Sequence, residues 1–371
     1  MADLKKLAEI GQSIWLDDIR RSYLESGRLG EWINDGIRGV TSNPTIFKKA
    51  IADSDEYDRD VIGARGDVFE VYERLVIDDI GRAADLFLPV FRDTGGIDGY
   101  VSLEVSPMLA HDCDATVAEA ERLFKTLARP NVMIKVPATA EGIPAIRELI
   151  SRGVNINVTL IFGTQHYNAV ADAYLSGLER LSGRGGDPEK TASVASIFVS
   201  RTDTAVDRLL EERDALSLKG GTSLKDGTSL RGQIAVANAK MCYSAFSGLF
   251  SGGRWEALAA KGARPQRVLW ASTGTKNPGY SDTLYVDNLI GPQTVNTLPP
   301  ATLAAWLDHG SMRPSVTLGL DEARASLEQL EPLGIDLNAV TDELQDDGVT
   351  SFATSFEQLL EAIANKMEKS R

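Results

Sequence analysis

The chain contains 371 residues, of which 43% are hydrophobic and 25% are charged, a composition typical of a globular protein. Its 39 basic and 53 acidic residues give a net charge of −14, which excludes a general nucleic-acid binder because phosphate neutralisation requires clustered cations. Two cysteines, Cys113 and Cys242, and three histidines are too few for a disulfide framework or a Cys/His zinc cluster.

Eight short runs are apolar or small almost throughout, which is typical of parallel strands that are buried on both faces. They cover residues 13–17, 37–42, 100–106, 132–136, 154–162, 193–199, 267–272 and 294–298. Amphipathic helical patterns lie between them, at residues 116–127, 143–150 and 204–216. This alternation predicts an α/β fold with a single (β/α)8 TIM barrel. A doubly wound open sheet is the alternative, because the strand count alone does not exclude it.

Some segments exceed a minimal barrel. They are helical insertions near residues 53–94 and 217–265 and a C-terminal helical extension from about residue 318. The first insertion predicts two helices, at residues 67–75 and 77–91, and residues 220–230 of the second predict a mobile polar loop. The extension predicts one or two helices on the barrel exterior. No linker is evident, so we expect residues 1–371 to form a single domain.

Polar residues at the strand ends are the candidates for chemistry, because a (β/α)8 barrel places its active site there. Lys135 lies inside an apolar strand, where desolvation disfavours an ammonium group. A neutral amine attacks a ketone and forms a Schiff base, which is class I aldolase chemistry. Glu104 and Asp17 are available for proton transfer, directly or through a water molecule. The alternative is a purely structural Lys135–Glu104 pair, which is disfavoured because such pairs rarely repay their desolvation.

Other strand-end residues suit a polyhydroxylated phosphorylated sugar. The neutral donors and acceptors are Asn43, Asn157, Thr159 and Ser196. Arg201 follows the sixth strand at a predicted helix start, where free N–H groups and the guanidinium can hold a phosphate. Ser272 ends the seventh strand, and Lys276 in the following turn either closes on the same phosphate or is an ordinary surface lysine.

The strand ends also carry motifs that resemble the transaldolase family. In chain order they are GVTSNPTIF at residues 39–47, VSLEVSP at 101–107, MIKVPAT at 133–139 and GVNINVTL at 153–160. Residues 269–278 and 294–300 are similar to the long bacterial, actinobacterial-type members. The likeness covers roughly residues 10–310, and the ordered set is far more specific than any one motif.

The resemblance implies a class I aldolase-type barrel that needs no cofactor and acts on sugar phosphates in the non-oxidative pentose phosphate pathway. It implies reversible transfer of a dihydroxyacetone unit from sedoheptulose 7-phosphate to glyceraldehyde 3-phosphate, giving erythrose 4-phosphate and fructose 6-phosphate. The family's Schiff-base lysine falls on Lys135. Its other site residues fall on Asp17, Asn43, Glu104, Asn157, Thr159, Ser196 and Arg201.

The chain departs from shorter relatives after the seventh strand, where Ser272, Thr273 and Gly274 replace a second phosphate arginine. Lys276 is the candidate substitute, and Asp18 beside Asp17 leaves a one-residue ambiguity at the first strand.

Two other functions stay open: an aldolase that releases free dihydroxyacetone from fructose 6-phosphate, and a non-catalytic sugar-phosphate-binding barrel. The lysine and its two carboxylates together disfavour the second. No apolar run is long enough for a membrane span and the N-terminus lacks a signal-peptide core. We therefore expect a cytoplasmic protein with sugar-phosphate substrates, no metal, no nucleic-acid partner and no membrane partner, and a homo-oligomer is compatible with all of this.

Overall fold

A computed structural model describes residues 2–219 and 230–369, and in it eight parallel strands close into a barrel in sequence order. The strands are β1 (Gln12–Leu16), β2 (Gly39–Val40), β3 (Tyr100–Glu104), β4 (Val132–Pro137), β5 (Ile156–Ile161), β6 (Ser193–Phe198), β7 (Arg267–Ala271) and β8 (Thr294–Leu298). The pairing of β8 with β1 completes the closure. The predicted (β/α)8 barrel is therefore confirmed, and the open sheet is excluded.

Helices surround the barrel and fill the crossovers. Within the described residues they are α1 (Leu4–Ile10), α2 (Arg21–Glu25), α3 (Arg28–Asp35), α4 (Pro44–Phe47), α5 (Asp58–Val61), α6 (Val68–Asp93), α7 (Cys113–Leu127), α8 (Gly142–Ser151), α9 (Thr164–Gly183), α10 (Ser200–Lys219), α11 (Ile234–Leu249), α12 (Gly253–Ala259), α13 (Leu284–Asn288), α14 (Pro300–His309), α15 (Leu320–Glu328) and α16 (Leu337–Met367). A π-helical turn, Lys48–Ala52, follows α4 directly.

Strand β2 is much shorter than the predicted run. Its residue Gly39 lies against a ring of the barrel interior, and a Cβ there would be 2.6 Å from Trp15. Thr41 and Ser42, which follow β2, leave the sheet and use their hydroxyls for tertiary contacts. Thr41 Oγ1 donates to Asp17 at 2.7 Å, and Ser42 Oγ donates to the carbonyl oxygen of Ser102 at 2.7 Å. The run was apolar enough to predict a strand, but its last residues serve the site.

The strand register brings the predicted chemical residues to one level of the barrel. Glu104 on β3 pairs with Lys135 on β4, which pairs with Asn157 on β5. Two residues further along β4 and β5, Pro137 pairs with Thr159. Side chains alternate along a strand, so Lys135 and Asn157 share the interior face with Thr159 one step nearer the carboxyl end.

One helical prediction was wrong in detail. The two helices predicted at residues 67–75 and 77–91 are the single helix α6, because Leu75, Val76 and Ile80 are buried along one uninterrupted helix. The predicted mobile loop at residues 220–230 lies, apart from Leu230, outside the described residues.

The C-terminal extension carries two helices, α15 and α16, but the prediction that they pack on the barrel exterior holds for only part of α16. Gln345 Nε2 donates to the carbonyl oxygens of Ala138 at 3.1 Å and Leu160 at 2.8 Å, at the carboxyl ends of β4 and β5. Further along α16, Phe352 lines the mouth of the barrel. The apolar face of α16 therefore packs over the strand ends at Phe352 and against α6 at Phe356, whose ring meets those of Phe69 and Tyr72.

None of the helices in the described part of the chain is both long and apolar enough to cross a membrane.

Candidate active site

A cavity of about 250 Å³ opens at the carboxyl ends of the strands. Eight of the ten predicted site residues line it: Asp17, Asn43, Lys135, Thr159, Ser196, Arg201, Ser272 and Lys276. The other two, Glu104 and Asn157, lie directly behind the cavity wall. Glu104 is paired with Lys135, and Asn157 accepts a hydrogen bond from Ser196. The strand-end rule therefore brought all ten predicted residues to one place.

Lys135 lines the cavity with only 4% of its surface exposed. Its Nζ donates a 2.8 Å hydrogen bond to the carbonyl oxygen of Ser42 and lies 3.1 Å from Oε2 of Glu104. Oε2 of Glu104 has no hydrogen-bond partner of good geometry in the described residues, so it is free to bind a water molecule beside the amine. The pair therefore combines a nucleophile with an adjacent proton acceptor.

Two carboxylates flank the lysine, and burial raises the pKa of each. The pKa of Glu104 is raised by desolvation, which the positive charge of Lys135 opposes. The pKa of Asp17 is also raised by desolvation, opposed by the hydrogen bond from Thr41 and by Lys135. A carboxyl group with a raised pKa exchanges a proton more readily near neutral pH, which suits general acid–base work.

The ambiguity between Asp17 and Asp18 is resolved by their contacts. Asp17 lines the cavity, whereas Asp18 accepts hydrogen bonds from Tyr23 at 3.0 Å and Arg20 at 3.4 Å. Asp18 therefore serves the α2 region, and Asp17 serves the site.

Neutral side chains linked by hydrogen bonds form another part of the cavity wall. Ser196 Oγ donates to Oδ1 of Asn157 at 2.6 Å, and Nδ2 of Asn157 donates to Ser102 Oγ at 3.0 Å. Thr159 is fully buried, and its hydroxyl has no hydrogen-bond partner among the described residues although it lines the cavity. A buried unpaired hydroxyl is costly unless a ligand or water satisfies it, so Thr159 is prepared for a bound molecule.

Asn43 combines a structural and a cavity-lining position. Its Oδ1 accepts a hydrogen bond from the backbone N–H of Ile46 at 2.9 Å and so caps α4, with Pro44 in the first helical position. The cap uses the amide oxygen and fixes the side chain, which leaves the amide nitrogen as the group that can donate to a ligand.

Arg201 is the strongest candidate for holding an anion. It is the second residue of α10, its guanidinium stacks 5.5 Å from the ring centre of Phe198, and burial lowers its pKa. No carboxylate of the described residues lies within ion-pair distance of it, although the more distant Asp347 opposes the lowering. A half-buried, unpaired guanidinium at a helix start is suited to a phosphate.

Ser272 joins the ends of two strands beside this arginine. Its backbone N–H and C=O lie next to Ser200, whose N–H donates to the Ser272 oxygen at 3.0 Å, and the two hydroxyls are 3.0 Å apart. Ser272 adopts φ +54°, a left-handed conformation that is strained for a residue with a side chain. Strain of this kind concentrates at functional sites, which agrees with its place in the cavity wall.

Of the three residues at which the sequence departs from shorter relatives, Ser272 and Gly274 line the cavity, and Gly274 contributes only backbone. Lys276, two residues further, also lines the cavity. The structure therefore places a cation in the same turn.

Two residues that the sequence reasoning missed also line the cavity: Lys49 from the π-helical turn and Phe352 from α16. Lys49 follows β2 too distantly to count as a strand-end residue. Phe352 is 193 residues from Thr159 and was assigned to an exterior helix. No local signal marks either residue, because both reach the cavity through tertiary packing.

The three histidines lie elsewhere, as their separation in sequence predicts. His111, His166 and His309 face Glu141, Asp342 and the pair Asp282 and Asp308, respectively. Among the described residues, no group of three or more His, Cys, Asp or Glu side chains is arranged to hold a metal ion.

The closed barrel, with a buried lysine and carboxylate at the carboxyl ends of its strands, has the architecture of a (β/α)8-barrel enzyme. The sequence matches the model of the transaldolase/fructose-6-phosphate aldolase family over residues 14–363, and the chain belongs to this family. It is 44% identical over 372 residues to a transaldolase of Trichodesmium erythraeum, covering 99% of this chain and 98% of the relative. The transaldolase of Saccharopolyspora erythraea is 46% identical over 375 residues (100% and 99%), and that of Thiobacillus denitrificans is 48% identical over 363 residues (97% and 99%). The resemblance found in the motifs is thereby confirmed.

Proposed function

We propose that the protein transfers a dihydroxyacetone unit reversibly from sedoheptulose 7-phosphate to glyceraldehyde 3-phosphate, giving erythrose 4-phosphate and fructose 6-phosphate. The observation that carries the proposal is the position of Lys135, which is buried 3.1 Å from Glu104 in a cavity that the unpaired Arg201 also lines. Such a pathway step belongs to the non-oxidative pentose phosphate pathway. The free cysteines Cys113 and Cys242 suit the reducing cytoplasm that the sequence predicts.

The covalent step begins at the ketose carbonyl. The neutral amine of Lys135 attacks C2, and the resulting carbinolamine loses its hydroxyl as water to form an iminium. Glu104 lies next to the amine nitrogen, so we assign to it, through a water molecule, the proton transfers at this nitrogen and at the departing hydroxyl.

Carbon–carbon cleavage requires a different base. Asp17 lines the cavity, and its hydrogen bond from Thr41 fixes the carboxylate. We assign to Asp17 removal of the C4 hydroxyl proton, so that the C3–C4 bond breaks, its electrons pass to the iminium, and the aldehyde product leaves. The enamine that remains on Lys135 then attacks the acceptor aldehyde, and the steps run in reverse.

The other residues hold the sugar. Asn43, Asn157 and Ser196 provide neutral hydrogen bonds for hydroxyl groups, and the unpaired hydroxyl of Thr159 binds the sugar or the water that shuttles protons. Arg201 and the turn with Lys276 hold the terminal phosphate, assisted by Ser272. Phosphate binding far from the reacting carbons can then be used to position them.

Borohydride trapping tests the mechanism. With fructose 6-phosphate alone, reduction should inactivate the enzyme irreversibly and add a reduced three-carbon unit to the peptide containing Lys135. Prior addition of erythrose 4-phosphate should discharge the intermediate and reduce labelling. Lys135→Met should show neither labelling nor turnover, and Lys276→Met should still be labelled. Labelling of Lys276 or of scattered surface lysines, or none at all, would overturn the assignment.

A further inference from the structure

One residue of the cavity wall, Phe352, comes from the C-terminal helix α16. Phe352 of α16 is 3% exposed and lines the same cavity as Lys135. It packs into an apolar cluster with Leu160 and Phe198, which belong to the carboxyl ends of β5 and β6. A buried phenylalanine is usually only core, but this one forms part of the wall of a polar, lysine-containing site.

Helix α16 is held on both sides of the barrel mouth, so the position of Phe352 is determined by more than its own packing. On one side, Gln345 donates to the carbonyl oxygens of Ala138 and Leu160. On the other side, Lys366 Nζ donates to Ile51 O at 2.9 Å and to Asp58 Oδ1 at 2.6 Å.

Leu160 itself has φ +59°, so this contact satisfies a carbonyl in a strained part of the backbone. Between the two anchors, the Oγ atoms of Thr45 and Ser355 lie 3.0 Å apart. Hydrogen bonds near both ends of α16, from Gln345 and Lys366, therefore fix the helix over the strand ends.

The proposed reaction passes through an enamine that has two fates. In transfer, its nucleophilic carbon forms a bond to the aldehyde carbon of an acceptor, and the aldehyde oxygen takes a proton. Water then adds at C2 of the resulting iminium, and the C–N bond breaks to release the new ketose and the free amine. In hydrolysis, the same carbon takes a proton to give the iminium, and water adds at C2. The C–N bond then breaks to release dihydroxyacetone and the free amine, with one water consumed. Exclusion of water before the acceptor arrives favours the first fate.

We infer that Phe352, held by the two anchors of α16, determines that this enzyme transfers the dihydroxyacetone unit to an aldehyde instead of releasing it to water. This inference rests on the function proposed above. It makes Phe352 a specificity-determining residue for the second half of the reaction, with no role in forming the Schiff base.

The test compares Phe352→Ala with Leu359→Ala. Leu359 lies two turns further along α16 and is fully buried, but it does not line the cavity. It is a better control than Phe356, which lies beside Glu104 in a neighbouring crevice. Each variant is given saturating fructose 6-phosphate, and glyceraldehyde 3-phosphate and free dihydroxyacetone are measured with and without erythrose 4-phosphate.

The readout is the rate without acceptor divided by the rate with acceptor. We expect Phe352→Ala to raise this ratio about fivefold or more, because water reaches the enamine, while Leu359→Ala leaves it at the wild-type value. Phe352→Leu should give a value near wild type. An unchanged ratio in Phe352→Ala, or an equal rise in Leu359→Ala, would overturn the inference.

Folding of each variant is checked by thermal unfolding. If Phe352→Ala does not fold, Gln345→Ala takes its place and should raise the ratio, because it removes one anchor of the helix. A wild-type ratio in Gln345→Ala then counts against the inference. Borohydride trapping in wild type separates the two claims: a labelled Lys135 together with an unchanged ratio leaves the proposed function standing and removes only the role of Phe352.

Discussion

The Nζ atom of Lys135 lies 3.1 Å from Oε2 of Glu104, and the two side chains are only 5% and 6% exposed. Each charged group is therefore stabilised mainly by the other, because solvent reaches only a small part of either side chain. Buried pairs of this kind add little net stability, but removal of one partner leaves an uncompensated charge.

The first prediction concerns Lys135→Met. Burial raises the pKa of Glu104, and loss of the cation that opposes this raises it further. With a folded-state pKa above the unfolded value, stability is fully present below the unfolded pKa and is lost as pH rises through the folded one. We expect the variant to lose about 3–5 kcal/mol of unfolding free energy relative to wild type at pH ~8, and much less at pH ~5, by urea denaturation. In Lys135→Met/Glu104→Gln this pH dependence should disappear, and persistence there would contradict the explanation.

The second prediction concerns Arg201→Ala. Loss of a charge-assisted phosphate contact of about 1.5–3 kcal/mol should lower kcat/KM for phosphorylated donors roughly ten- to a hundredfold. Arg208→Ala is the matched control, because Arg208 lies on the same helix, is exposed and pairs with Glu212. Steady-state kinetics with fructose 6-phosphate and with unphosphorylated fructose should separate the two. An equal effect on both sugars would show that Arg201 does not bind phosphate.

The third prediction compares two adjacent lysines. Lys49 lines the cavity and has no ion-pair partner among the described residues, whereas Lys48 lies 3.5 Å from Asp53 and does not line it. In a chain with net charge −14, a cation at the mouth should assist the approach of phosphorylated sugars.

Lys49→Gln should therefore lower kcat/KM about three- to tenfold at low ionic strength and less at high salt, because salt screens the attraction. Lys48→Gln makes the same change in net charge and should have little effect. Identical salt dependence in the two variants would remove Lys49 from the site.

The fourth prediction uses the hydroxyl of Thr41. Its 2.7 Å hydrogen bond to Asp17 lowers the pKa of that carboxyl against the raising effect of burial. Thr41→Val should raise the pKa of Asp17 and shift the acid limb of the kcat profile to higher pH. Thr41→Ser keeps the hydroxyl and should keep the wild-type profile. A Val variant with lower activity but an unshifted limb would mean that Asp17 does not control that limb.

The sequence predicted the barrel and the inner part of the site because both depend on local pattern. Lys135 stands out within an apolar strand, and parallel strands must bring their carboxyl ends together, so Glu104 and Asn157 could be placed beside it without a structure. Short strands such as β2 were harder, because Thr41 and Ser42 leave the sheet for side-chain contacts.

The position of α16, and with it the presence of Phe352 in the cavity wall, could not be predicted from the sequence. The helical spacing of Phe352, Phe356 and Leu359 correctly predicted a helix with an apolar face, but the same face would suit the outside of the barrel. Its place over the strand ends depends on tertiary contacts, among them those of Gln345 and Lys366 with distant backbone carbonyls. Such contacts connect residues 185 and 315 positions apart, and no local pattern encodes them.

The position of α16 in the chain also sets an order of events during synthesis. The ribosome completes all eight strands before it adds Leu337–Met367, and domains fold largely as they emerge. A nascent chain can therefore close the barrel and bury Lys135 before it possesses Phe352. By the inference drawn above, the enamine is protected from water only after this last helix has docked, which is later in synthesis than closure of the barrel.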